Sequence, residues 1–385
     1  MNLLVLAKAY PPTVGGVENY SKFVSEGLSK FHDVRVLTLK PLKKESLDSS
    51  ILEDSDEIDV ERIHAFHSQI LSAIWYSVVF FIRILQNKPD YILATTWKIG
   101  LVNAVFQPIF RIPFMLSAHG AELTRNRNNF LVSSIMKYVF NKADRIIAVS
   151  EFTRQVVIEY AQIEPSKCVV VSNGIDLESV RINSKEDARK HLNIDPNSKI
   201  MLTVSRVDKR KGHIDVLNAI PQILKKIPNL KYIIVGNGPE KEIIKSKIVE
   251  LGIEDHVELA GFVSDEDLPF YYSACDVFVM LNKMVSIEDF EGFGFVFAEA
   301  GAYRKPLIGG NSGGPKEVIL ENQTGYLVDP LDSNLVAEKI TLLLSNDIKS
   351  IEMGNNAEAR TKNYYTTEVM SKNINKNLVQ LYEDN

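Results

Sequence analysis

The chain has 385 residues, 45% of them apolar and 24% charged, with a formal net charge of −5. That is ordinary for a globular protein but too long for one core, so two domains are expected, and the negative balance argues against a general nucleic-acid binder. The two cysteines, Cys168 and Cys275, lie far apart and offer neither a metal-ligand spacing nor a disulfide framework, which fits a reducing cytosol.

Met1–Ala7 has no basic stretch ahead of its apolar residues, so it reads as the start of a strand over residues 3–8 and not as a secretory leader. Pro11 to Gly16 is a loop, after which Val17, Tyr20, Phe23, Val24 and Leu28 follow helical spacing. Val34–Leu39 is a strand, and Pro41–Ile63 is polar and charged, a loop or irregular excursion. Ile70–Leu85 is strongly apolar and of helical length. Tyr91–Thr95, Phe114–Ala118 and Arg145–Ser150 read as buried strands, with helices near Gly100–Phe110 and Asn129–Asn141 between them. Val169–Asp176 is a strand running into a turn, and the alternation then restarts. Strands are expected at Ile200–Val204, Tyr232–Val235, Val257–Leu259, Val277–Leu281 and Pro306–Ile308. Helices are expected near His213–Lys226, Glu240–Leu251, Asp265–Ala274, Phe293–Tyr303, Leu335–Leu344 and Thr366–Tyr382. This alternation implies an α/β fold of two parallel-sheet, Rossmann-like halves. Their ligand sites belong beyond the carboxyl ends of the strands, with the cleft between the halves as the default active site.

Charge is unevenly placed. Residues 1–180 carry 19 basic and 19 acidic side chains, but six of those acids crowd into Glu53–Glu61, leaving a positive excess elsewhere in this half. Arg125, Arg127, Lys137, Lys142 and Arg145 contribute to it. With the apolar Ile70–Leu85 stretch, which carries Trp75, Tyr76, Phe80 and Phe81, they point to a peripheral membrane surface with anionic lipid. Arg83 and the short length argue against a spanning helix there, and a buried helix covering the sheet is the alternative reading.

The strongest chemical signal is Glu291-Gly292-Phe293-Gly294-Phe295-Val296-Phe297-Ala298-Glu299. Its glycines leave backbone N–H groups unobstructed where a helix should begin, near Phe293, and such an end binds anions. Eight helical residues rise roughly 12 Å, so the two carboxylates suit opposite ends of one long ligand with an anionic middle. A nucleotide-sugar has that layout. A buried helix with one capping and one exposed carboxylate fits the same segment.

Other strand ends carry supporting motifs. Gly15-Gly16 opens the first helix and permits close approach of a phosphate, or is a plain tight turn. Ser205-Arg206-Val207-Asp208-Lys209-Arg210-Lys211-Gly212 places four cations after a strand, suited to a diphosphate or to solvent. His119, after the strand ending at Ala118, is a sugar or phosphate ligand or a structural histidine. Gly236-Asn237-Gly238 and Gly261-Phe262-Val263 offer turns and backbone groups that could hold a base. Ser312-Gly313-Gly314-Pro315 is a further amide nest or a strand-to-helix turn.

In this order the motifs resemble the retaining glycosyltransferases of family 4, which have the GT-B fold. The match runs from Pro11-Pro12 with Gly15-Gly16, through His119-Gly120 with Glu122, Asn173-Gly174-Ile175-Asp176, Ser205-Arg206 with Lys211-Gly212, and Gly236-Asn237-Gly238, to Gly261-Phe262-Val263, Glu291 with Glu299, and Gly325-Tyr326-Leu327-Val328. The resemblance implies two Rossmann-like domains facing across a cleft, residues 1–178 with 366–385 on the acceptor side and residues 179–365 for the nucleotide-sugar. Arg206 and Lys211 would bind the donor diphosphate, with Gly16 approaching it. Glu291 would hold hydroxyls of the donor sugar and Glu299 the ribose. Amides of Gly294, Phe295 and Val296 would meet the sugar or diphosphate, His119 would lie beside the sugar, and the Val263 backbone would meet the base. No metal or other cofactor is expected. Asp54-Ser55-Asp56 and Asp265-Glu266-Asp267 are read as loop and helix-start residues, not as metal ligands. The run around Glu291, followed by Asn311-Ser312-Gly313-Gly314, is similar to bacterial mannosyltransferases that use GDP-mannose, and UDP-linked hexoses remain open. The expected reaction moves a hexose to a glycan or lipid-linked acceptor in cell-surface polysaccharide synthesis, in the cytoplasm or at the inner face of the membrane. The alternatives are a nucleotide-sugar epimerase, a phosphorylase or another GT-B enzyme, and a non-catalytic nucleotide-sugar sensor. A glycoside hydrolase also uses paired carboxylates, but would leave the glycine-rich anion sites without a purpose.

Overall fold

The computed structural model describes residues 1–13, 15–41, 58–124, 129–286 and 289–383. The chain forms two compact units, Met1–Gly174 with Thr367–Asn385 and Ile175–Thr366.

The first unit holds seven parallel strands: β1 (Asn2–Ala7), β2 (Asp33–Leu39), β3 (Asp59–Ile63), β4 (Tyr91–Ala94), β5 (Phe114–Ala118), β6 (Arg145–Ala148) and β7 (Cys168–Val170), in the order β3-β2-β1-β4-β5-β6-β7. Side chains alternate across the sheet. Leu3, Val5, Val36 and Leu93 pack under Tyr20, Val24 and Leu28 of helix Gly16–Ser29 and under Met370, Ile374 and Leu378 of helix Thr367–Glu383. On the other face Leu4, Leu6, Ile92 and Leu116 meet Tyr76, Phe80, Val102, Val139 and Phe140. The carboxyl-terminal helix lies so close to the first one that a Cβ at Gly27 would meet Ser371 Oγ at 1.7 Å. His32 Nε2 bonds Asn375 Oδ1 at 2.6 Å and Arg145 Nη1 donates to Asn377 Oδ1 at 2.9 Å, fixing the same helix along its length.

Helix Gln69–Gln86 buries only Ser72, Tyr76, Phe80 and Ile84, one residue per turn. Tyr76 Oη donates to the Leu37 carbonyl at 2.9 Å, and Arg83 makes two bonds of 2.7 Å to the Glu61 carboxylate. The remaining face is apolar and exposed, from Ile70 (73%) and Leu71 (54%) through Ile74, Trp75, Val78 and Ile82 to Leu85 (65%). The helix is therefore not enclosed as a purely covering helix would be. It is long and apolar enough to cross a membrane by length and composition, yet its polar face is fastened to the sheet.

The second unit holds six parallel strands: β8 (Lys199–Val204), β9 (Leu230–Val235), β10 (Val257–Gly261), β11 (Val277–Met280), β12 (Leu307–Gly310) and β13 (Gly325–Val328), in the order β10-β9-β8-β11-β12-β13. Its core joins Met201, Tyr232, Val279, Ile308 and Tyr326 to Val216, Ile220, Ile244, Val336 and Ile340 on the helices.

Several elements were not expected from the sequence, β13 and the short helices Ala121–Thr124, Lys185–His191 and Pro315–Val318 among them, and for two longer ones the reason is identifiable. β3 lies inside the stretch read as loop; it is an edge strand whose only fully buried residue is Ile63, so its acidic composition hid it. Helix Asp347–Tyr364 was not expected because its buried stripe is Met353, Gly354, Ala357 and Thr361, which carries almost no apolar periodicity. Those small residues let it approach helix Phe295–Ala302, where Thr361 Oγ1 donates to the Ala298 carbonyl at 3.2 Å. Helix Glu151–Ala161 begins at a Ser150 cap whose side chain accepts from the Thr153 N–H.

Candidate functional site

The chemistry-bearing residues of the second unit gather on loops at the carboxyl edge of its sheet. After β8 the chain passes Ser205 and the exposed Arg206, then folds back on the β9 loop. Val207 N–H donates to the Asn237 carbonyl at 3.0 Å, and a Cβ at Gly238 would come within 2.1 Å of the Val207 carbonyl, so the two loops need that glycine to touch. Asp208 caps the short turn Lys209–Lys211, and Gly212 follows at φ 71 against the Leu281 carbonyl.

That turn delivers two cations to Glu291. Lys211 Nζ lies 2.5 Å from Glu291 Oε2, while Arg210 Nη1 donates to the Phe290 carbonyl at 2.8 Å and its Nε lies 3.9 Å from the same carboxylate oxygen. Burial pushes the Glu291 carboxyl up, but Lys211, Arg210 and the Gly294 N–H outweigh it and hold the group below the usual carboxylate range. Glu291 lies in the loop as expected. The helix starts at Phe295, two residues later than the spacing suggests, because Gly294 takes φ 87 as its cap and no side chain covers the first-turn amides. Phe293 is instead buried against Phe295 and Tyr365. The Gly294 N–H faces the Glu291 carboxylate, and the first-turn amides of Phe295 and Val296 have no side-chain cap.

The loop after β12 backs this arrangement. Gly314 N–H donates to the Glu291 carbonyl at 2.9 Å, and a Cβ at Gly314 would sit 2.0 Å from the Gly292 carbonyl. Buried Asn282, just past β11, donates to the Ser312 carbonyl at 2.7 Å and accepts from Gly310 N–H at 3.2 Å, tying the two strand ends together. Glu299 lies five residues into the helix with the opposite electrostatics. Burial and Asp265 raise its pKa, opposed by a 2.8 Å bond from Tyr272 Oη. Gly236 and Gly261 join the ends of β9 and β10 through a 2.6 Å backbone bond, with half-buried Val263 two residues on. His213, 2% exposed, bonds Ser205 Oγ at 3.2 Å and stays neutral, burial lowering its pKa to about 4.

Lys211 and the Gly294 N–H thus both meet the Glu291 carboxylate. Arg206 is not part of that cluster, and its guanidinium makes no bond to a described residue. Sequence reasoning missed Arg210, Tyr272, Asn282 and His213 as supporting residues. Arg210 belongs to the basic run already noted; the other three carry no local signal.

In the first unit, Gly15 has extended backbone at φ 164, and Glu18 packs its carboxylate against it, where a Cβ would meet Glu18 Oε2 at 2.2 Å. The acid facing that helix start is the chain's own. His119 Nε2 donates to the Thr95 carbonyl at 2.8 Å, and its ring lies edge-on to Tyr20 with centroids 4.7 Å apart. Among the described residues no cluster of three or more His, Cys, Asp or Glu could hold a metal ion. Asp54 and Asp56, Arg125 and Arg127 lie outside the described residues.

Two family models match the chain, one described as Glycosyltransferase Family 4 over residues 14–179 and one as Glycosyl transferases group 1 over residues 184–360. The chain belongs to glycosyltransferase family 4. It is 24% identical over 373 residues to a GDP-mannose-dependent alpha-(1-6)-phosphatidylinositol monomannoside mannosyltransferase of Mycobacterium tuberculosis, covering 91% of each chain. A capsular polysaccharide biosynthesis glycosyltransferase, CapM, of Staphylococcus aureus is 24% identical over 377 residues, covering 96% of this chain and 93% of that one. Among solved structures, Anabaena Alr3699/HepE in complex with UDP aligns with a TM-score of 0.80 at 22% identity, over 99% of this chain and 100% of the other. This family 4 glycosyltransferase has the GT-B fold of two Rossmann-like units.

Proposed function

We propose that this glycosyltransferase takes a hexose from a nucleoside-diphosphate sugar with retention of configuration, and that mannose from GDP-mannose is the donor. The observation that carries the reading is the Lys211–Glu291 contact of 2.5 Å beside the uncapped start of helix Phe295–Ala302. Lys211, Arg206 and the Phe295 and Val296 amides supply positive potential for the diphosphate. Negative charge grows there as the nucleoside diphosphate departs, so these preorganised groups stabilise departure without a metal. Glu291 receives sugar hydroxyls and Glu299 the ribose diol, with the Val263 backbone against the base. The GDP-mannose-dependent relative favours guanine and mannose; the UDP complex of the structural neighbour keeps a UDP-hexose as the alternative donor.

The acceptor is a glycan or lipid-linked sugar of the cell surface, met at the inner face of the membrane. The exposed apolar face of helix Gln69–Gln86 supports this, as do the helices Trp97–Phe110 and Phe130–Lys142, which carry Lys98, Lys137 and Lys142 and no acidic residue. Such a face lies in the interface while basic groups meet anionic headgroups.

The test incubates the purified protein with GDP-mannose or UDP-glucose and a bacterial lipid extract, and reads sugar transfer and the anomeric configuration of the product. Transfer from either donor with inversion overturns the retaining mechanism, and product formed without acceptor turns the reading to an epimerase. Flotation with liposomes checks the surface. Binding should need anionic lipid, fall with salt, and weaken in Ile74→Ser with Trp75→Ser and in Arg125→Gln with Arg127→Gln. No binding to any liposome removes the membrane role.

A further inference from the structure

Glu299 is the only charged residue of helix Phe295–Ala302, whose other members are Phe, Val, Ala and Gly. Among the described residues it has no ion pair, and the one hydrogen-bond partner of its carboxylate is Tyr272 Oη, at 2.8 Å on Oε2. A carboxylate offers about four acceptor sites, so most of this one is unused in a half-buried place. Tyr272 is held from behind. It is 2% exposed, its ring stacks on Tyr303 at 4.9 Å and 15°, and Tyr303 Oη accepts the Arg181 N–H at 3.2 Å. Tyr272 comes from a different element, helix Leu268–Ala274, so the bond ties the Glu299 side chain to a second, fixed part of the fold.

We infer that Tyr272 is a positioning residue for the donor nucleotide. Its hydroxyl engages Glu299 Oε2 and so presents Oε1 to a vicinal ribose diol. This rests on the proposed role of Glu299 as the ribose contact. The chemistry is directional. A diol donates two hydrogen bonds, a carboxylate whose torsions are free loses orientation in accepting them, and a donor already seated on one oxygen removes that freedom before the ligand arrives. Tyr272 stays protonated, since burial and the adjoining Glu299 both raise its pKa, so it remains a donor. Removing the hydroxyl leaves the ring stack intact and releases only the carboxylate.

The experiment measures dissociation constants by calorimetry for GDP, UDP and their 2′,3′-dideoxy counterparts on wild type, Tyr272→Phe, Glu299→Gln and the double variant. Tyr303→Phe serves as a control that keeps a stacking ring and whose side chain has no bond to the Glu299 carboxylate. Tyr272→Phe should weaken the ribonucleotide that wild type binds by about tenfold, or ~1.4 kcal/mol. It should leave the dideoxy nucleotide unchanged and add nothing in the Glu299→Gln background. A structural role for Tyr272 would weaken both nucleotides alike, and that result, or unchanged binding of both, overturns the inference. If wild type binds the dideoxy nucleotide as tightly as its parent, Glu299 is not the ribose contact; the reading beneath the inference then fails, a different result from failure of Tyr272 alone.

Discussion

Replacing Lys211 by methionine should destabilise the second unit more than replacing Lys211 and Glu291 together. The two side chains are 11% and 15% exposed and meet at 2.5 Å. Lys211→Met keeps the packing of the stem and strands a buried carboxylate. Breaking a buried pair from one side costs about 3–5 kcal/mol. Here Arg210 Nε at 3.9 Å and the Gly294 N–H stay in place, so a loss of about 2–3 kcal/mol is expected. In a unit of this size that lowers Tm by roughly 5–10 °C. Adding Glu291→Gln removes the stranded charge and should return about 2 kcal/mol as coupling between the sites. The pH dependence has a definite sign. In wild type the folded-state pKa of Glu291 lies below its unfolded value, so the pair stabilises above the ordinary carboxylate range and its contribution is lost as pH falls through the folded value. Below that point Glu291 is neutral in both proteins, so the gap between wild type and Lys211→Met should be widest at neutral pH and narrow under acid. Urea titrations across pH measure both effects. A double variant as unstable as Lys211→Met, with a gap independent of pH, would refute the claim that Lys211 neutralises a desolvated Glu291.

Gly314→Ala should cost about 1–3 kcal/mol and weaken donor binding, because its Cβ would lie 2.0 Å from the Gly292 carbonyl and displace the loop that carries Glu291; wild-type urea stability and donor affinity would contradict this. His213, buried and neutral with a pKa of about 4, should make stability greatest above about pH 6.5 and cost about 3 kcal/mol as pH falls to the folded value. His213→Gln should flatten that part of the acid-unfolding curve, and a curve of unchanged slope there counts against the assignment. Glu299→Gln should mainly weaken nucleotide binding and Glu291→Gln mainly slow transfer, checked by kcat and KM for the donor together with nucleoside diphosphate affinity; the reverse pattern would mean the roles are exchanged.

How much of this was legible in the sequence depends on where the information sits. Parallel sheets were visible because β1, β4, β5 and β11 are continuous apolar runs buried on both faces. The edge strand β3 was not, since an edge needs little apolar surface. Helix Asp347–Tyr364 was hidden because close approach uses Gly354, Ala357 and Thr361 where a pattern search looks for Leu and Ile. At the site, the basic run and the two glutamates were readable as residue types at strand ends. Their partners were not: Asn282 and Tyr272 act across 30 and 27 positions, through bonds to Ser312 and Glu299 that only the folded sheet creates. Arg206 shows the converse, a residue prominent in the sequence whose side chain forms no bond to a described residue.

The two glutamates make the limit of spacing concrete. Eight positions apart, they were read as a matched pair, and a helix would explain such a pair by geometry alone. The fold treats them oppositely. Glu291 is outside the helix, held by Lys211 with Arg210 nearby, and these cations outweigh burial and keep its carboxyl below the usual carboxylate range. Glu299 is inside the helix and, among the described residues, has no cationic partner, its charge opposed by burial and supported by one hydroxyl. A carboxylate neutralised by a lysine suits a place where that lysine must also meet a departing phosphate, because the ammonium is then already positioned beside both. A carboxylate without a counter-ion suits neutral hydroxyls, whose hydrogen bonds it accepts without bringing in a second charge. The proposed roles, sugar and diphosphate at Glu291 and Lys211 and ribose at Glu299, therefore draw support from what each carboxylate touches and not from the interval between them alone.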